Sequence, residues 1–110
     1  PLVRRQVEKV KEVYLMINTA MESSSGSQRA DLANLLETLR NGLKNHVSGY
    51  LKSVAISRQT LTHNPALLEE DIAVTDRSYA TFIQDLLDQV STAHGMMVDI
   101  RQRTNDMLDS

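Results

Sequence analysis

The side chains in this sequence that could carry chemistry are three histidines and scattered carboxylates, with no cysteine among them. His63 lies in Thr62-His63-Asn64-Pro65, a turn signal, and reads as a solvated loop residue. His94 precedes Gly95 and sits beside the apolar position Ala93. A helical metal site needs a second ligand one turn away, and neither histidine has a histidine or carboxylate four residues from it. Glu69-Glu70-Asp71 has the residue types of an acidic metal cluster. Its place in the opening turns of a predicted helix explains it instead by complementing the helix dipole. Asp85 and Asp88 stand one turn apart and read as a solvated face rather than an acid–base pair. No Ser–His–Asp order, glycine-rich phosphate loop or nucleophile elbow occurs. The expectation is therefore no catalytic residue, no metal site and no cofactor.

His46, in Leu43-Lys44-Asn45-His46-Val47-Ser48-Gly49-Tyr50, raises a further possibility, because a histidine exposed on a helical bundle can accept a phosphoryl group. Histidine phosphotransfer domains place Lys-Gly three and four residues after that histidine, the lysine to meet phosphate and the glycine to admit it. Here those positions hold Gly49 and Tyr50, and the next lysine is Lys52. A rim histidine is the expectation, with phosphotransfer through His46 a minor alternative.

Composition narrows the class. The 110 residues are 41% apolar, enough for the core of one domain, expected to span 1–110, and a start at Pro1 reads either as a processed chain or as a fragment of a larger one. The absence of cysteine excludes a disulfide framework, a thiol nucleophile and an Fe–S site. The longest apolar run, Val13 to Ile17, is five residues. A membrane span needs about 20, so none is expected. A net charge of −2 gives no electrostatic reason to expect nucleic acid. Four aromatic residues, Tyr14, Tyr50, Tyr79 and Phe82, make no stacking platform for single strands, and the first three fall on apolar seams. Residues 1–63 carry 9 basic and 5 acidic side chains, residues 64–110 carry 3 and 9. That asymmetry fits helices attracting one another side by side.

The elements that must position these residues are read from periodicity. Val3, Val7, Val10, Tyr14, Ile17 and Met21 recur at spacings of 4 and 3 and predict a helix over 2–22. Ser25 with Gln28 three residues later reads as a capping box. A second helix, 27–61, shows Leu32, Leu36, Leu39, Leu43, Val47, Tyr50 and Val54, with a stutter near Leu43–Val47. Gly42 and Gly49 lie inside it, each costing about 1 kcal/mol in a helix interior and marking a site for a kink. Asn64 as N-cap and Pro65 at the first helical position open a third helix, 65–109. Its seam runs from Leu68 through Ile83 and Val90 to Met107, with Thr75 the place for a kink. Met96-Met97 offers an adaptable contact patch. The fold class predicted is all-α: an up-down antiparallel bundle of three long helices.

Folding the second and third helices about the turn at 63–64 pairs residues whose numbers sum to about 127. The two stutters then meet at one level, and Gly49 falls opposite Ser78, small against small. The same arithmetic about residue 25 carries the first helix only to the level of Ser48. The distal hairpin, 49–78, is left without a third helix, and residues 99–110 overhang the other end. Leu51, Val54, Leu61, Leu68, Ile72, Ile100 and Met107 are the expected self-association surface, to be covered by a second copy or by further chain before Pro1. The functional expectation is a non-catalytic helical-bundle module for protein interaction and oligomerisation, its partner a second copy or partner helices. The alternative is an extracytoplasmic, ligand-binding sensory bundle of a bacterial membrane receptor or histidine kinase.

Overall fold

The computed structural model describes residues 1–109. Three helices account for nearly all of them: α1 (Leu2–Glu22), α2 (Gly26–Thr60) and α3 (Pro65–Asp109). Their boundaries fall within a residue of those predicted, and α2 and α3 run unbroken through Gly42, Gly49 and Thr75. The molecule is a rod of 70 × 19 × 14 Å. At 1.5 Å per residue the 45-residue α3 spans about 67 Å and sets that length.

The core follows the seams. Val3, Val10 and Ile17 from α1 meet Leu32, Leu36 and Leu39 from α2 and Ile83, Leu86 and Val90 from α3. Ile17, Leu39, Ile83 and Val90 are completely buried. Leu35, Ala80 and Leu87 are buried as well, because each long helix touches two neighbours and needs a wider apolar stripe than a two-stranded coil. Tyr14, Tyr50, Tyr79 and Met97 pack half-buried around this centre.

The connections differ in how they are held. Asn64 Oδ1 accepts the Leu67 N–H at 3.2 Å, the cap expected with Pro65 as the first helical residue. At the α1–α2 turn the expected capping box does not form. Ser25 takes the N-cap position with extended backbone but makes no side-chain bond to the helix. The chain turns instead on Gly26, whose φ of +61° suits a residue without Cβ. Ser24 is buried there and donates to the Ala20 carbonyl at 2.8 Å.

The register of the α2–α3 hairpin is one residue from the arithmetic. Gly42 lies against Leu86, His46 beside Phe82, and Gly49 against Tyr79, pairs that sum to 128. The small-on-small pairing of Gly49 with Ser78 is therefore replaced by glycine under a tyrosine ring. A Cβ on Gly49 would stand 2.9 Å from Tyr79 Cε1 and Oη, and one on Gly42 would stand 2.8 Å from both Leu86 methyls. These glycines cost helix propensity and return close packing between α2 and α3.

Asp76 decides where the third helix of the bundle starts. Its Oδ2 accepts the Leu2 N–H at 2.8 Å and its Oδ1 the Val3 N–H at 3.0 Å. The N-cap of α1 is Pro1, which has no side chain to satisfy those orphan donors, so a carboxylate from α3 does it. Beyond Asp76, α2 and α3 continue as a hairpin of two helices.

Candidate interaction surface

Among the described residues two ion pairs form, Lys11–Glu8 at 3.2 Å and Arg103–Asp99 at 3.1 Å, each within one helix and exposed. The expected side-by-side attraction of a basic half and an acidic half thus forms no bridge between helices. The seams that touch are apolar, and the charged heads stay in water, where a pair is worth about 0–1 kcal/mol.

The two-helix tip is held partly by polar contacts. Ser57, almost fully buried, donates to Asp71 Oδ2, with the Ser53 carbonyl 3.0 Å away. Ser53 Oγ and Tyr79 Oη lie 3.4 Å apart. Asp71, read from sequence as complementing the helix dipole, ties α3 to α2 instead. Val54 is buried at 7% exposure, and Leu61, Leu68 and Ile72 are half-buried, whereas Leu51 is exposed. At the other end Ile100 and Met107 are exposed. Ile56, Leu67 and Val74 are further exposed apolar residues at the tip.

A row of rings crosses from α2 to α3 where the tip joins the three-helix part. The His46 and Phe82 centroids are 5.8 Å apart, Phe82 meets Tyr79 edge-on at 5.3 Å, and Tyr79 meets Tyr50 at 6.1 Å. Read singly, these residues looked like core or rim. The hairpin arithmetic, applied to His46 with Phe82 and to Tyr50 with Tyr79, is the signal that brings them together. Phe82 keeps 45% of its surface in solvent despite two ring neighbours, His46 and Tyr79.

No protein-family model, curated protein or solved structure matches this chain. Its surfaces and cavities are what remain to be read. Among the described residues no three His, Cys, Asp or Glu side chains group to hold a metal ion, and no helix is long and apolar enough to cross a membrane. Asp88 accepts a bond from Gln84 at 2.8 Å, and His63 is exposed in its turn. His94 borders a cavity of about 140 Å³ between the α1–α2 turn and α3. Ala20, Leu32, Met97 and Val98 give it an apolar lining, and Gln28, Asp31, His94 and Arg101 supply polar groups. Met96 of the methionine pair is exposed, while Met97 packs against the core.

Proposed function

We propose that this chain is a non-catalytic interaction module that associates with a second copy of itself. The observation that carries the proposal is the hairpin beyond Asp76, where two helices stand without the third and leave Ile56, Leu67 and Val74 in solvent. Apolar residues gathered in this way on a small rod mark a contact surface. Light scattering on the eluting protein tests the reading. At high micromolar concentration the molar mass should approach twice 12.3 kDa and fall on dilution. A mass fixed at 12.3 kDa at every concentration would end the proposal.

A second reading, a ligand-sensing bundle, draws support from the cavity at the α1–α2 turn. It is a half-open pocket of about 140 Å³, room for a benzene-sized apolar group beside Asp31, His94 and Arg101. A saturable rise in Tm with a benzene-sized compound, abolished by Val98→Trp, is the result expected of that reading. An unchanged Tm across such compounds would retire it. The third reading, phosphotransfer, gains nothing from His46, whose half-buried ring rests on Phe82.

A further inference from the structure

We infer that the second copy docks on the outer α2–α3 face, opposite α1, with Phe82 as the central anchor. The inference rests on the self-association reading and names the surface that performs it.

Charge singles out this face. On α2, Asn34, Thr38, Asn41, Asn45 and Ser48 recur at spacings of 4, 3, 4 and 3, and all are exposed. They share one side of the helix. Thr38 and Asn45 lie one turn before and after Gly42, the residue pressed against Leu86, so this line borders α3. Glu37 and Arg40 lie on the other side of α2, in the groove shared with Tyr14 and Asn18 of α1. On α3, Leu67, Val74, Phe82, Gln89 and Met96 follow at steps of 7, 8, 7 and 7, which keeps them on one side, and all five are exposed. Four of the five are apolar, and Phe82 fixes the direction, since its ring lies beside His46 of α2. Lys52 and Asp85, of opposite sign, are the charges on the face, so a copy meets its own copy without net repulsion. The α1–α2 side is dense in charge instead, with exposed Arg4, Lys11, Arg40, Lys44 and Arg58 among Glu8, Glu22 and Glu37, all of which a contact there would have to desolvate.

Size and shape agree with that choice. Interface centres are depleted of charge and enriched in aromatic residues, with a polar rim. A stable complex buries about 800 Å² per partner. A side of this rod, 70 Å long and 19 Å across, is ample for that. Because Gly42 and Gly49 draw α2 and α3 close, the face is level enough to meet its own copy. Tyr79 and His46 brace the Phe82 ring before contact, which lowers the ordering cost of an anchor.

Sedimentation equilibrium of four proteins tests it: the unaltered chain, Phe82→Asp, Asn45→Glu and Leu51→Asp. Asn45 is exposed and polar, so its variant keeps the fold should Phe82→Asp disturb the ring row, and circular dichroism verifies folding of all four. Both face variants should dimerise about 30-fold more weakly, the scale of burying an unpaired charge at an interface. Leu51→Asp should dimerise as the unaltered chain does. A dimer untouched by Phe82→Asp and Asn45→Glu overturns the face while leaving self-association standing. Loss confined to Leu51→Asp moves the contact elsewhere on the tip, against the inference. A monomeric unaltered chain sinks both readings, whereas an added foreign helix that binds in the same face-dependent way points to a partner other than a second copy.

Discussion

Glycines of one type do opposite work at different positions, and this is where the packing is most open to test. Gly42 and Gly95 are both helical, yet a Cβ would reach 2.8 Å from Leu86 at the first and meet nothing within 4 Å at the second. Gly95→Ala should therefore stabilise the fold by about 0.5–1 kcal/mol, the helix-propensity gain. Gly42→Ala should destabilise it by about 1 kcal/mol or more, since displacing a buried leucine costs more than that gain. Urea denaturation of the two variants gives the sign directly. Gln6 offers a second residue-level test. Its Oε1 is buried with no hydrogen-bond partner among the described residues, and an unsatisfied buried acceptor costs about 1–3 kcal/mol. Gln6→Leu should raise the urea midpoint, and a lowered midpoint would show that the amide is satisfied in solution. At this scale the sequence showed which residues are apolar and little about what each one touches. Gly49 meeting Tyr79 rather than Ser78 turned on a single residue of register, which spacing along one helix does not resolve.

Helices α1, α2 and α3 were legible because the signals that make them are local. Apolar residues at 4/3 spacing define each stripe, and Asn64-Pro65 starts α3 within a few residues of chain. The same locality explains what could not be read. Asp76 capping α1 joins groups more than seventy positions apart, and the Ser57–Asp71 bond exists only once the hairpin has closed. The off-seam line Leu67, Val74, Phe82 and Met96 was equally visible in the letters, but a line gains meaning only when the neighbour on each side is known. Asp76→Ala removes the acceptor for two orphan N–H groups and should cost about 1 kcal/mol. Hydrogen exchange should show the loss at the first turn of α1 and leave the 53–75 hairpin as protected as before. Equal deprotection of both would mean that Asp76 supports the hairpin rather than the start of α1.

At the scale of the whole molecule, one long helix sets the length and a shorter first helix leaves part of it uncovered. The uncovered tip and the imbalance of charge along the chain were both evident from the register and the composition. The side of the rod that pairs was not, because it depends on which faces the three helices hide from one another. Pairing on the outer α2–α3 face makes the particle thicker without making it longer, whereas pairing through the tips makes it longer. Small-angle X-ray scattering from the unaltered chain at high concentration separates these outcomes most directly. A scattering mass near twice 12.3 kDa with a maximum dimension still close to 70 Å is the result this account predicts. A mass of 12.3 kDa, or a dimer whose longest dimension approaches double 70 Å, would contradict it.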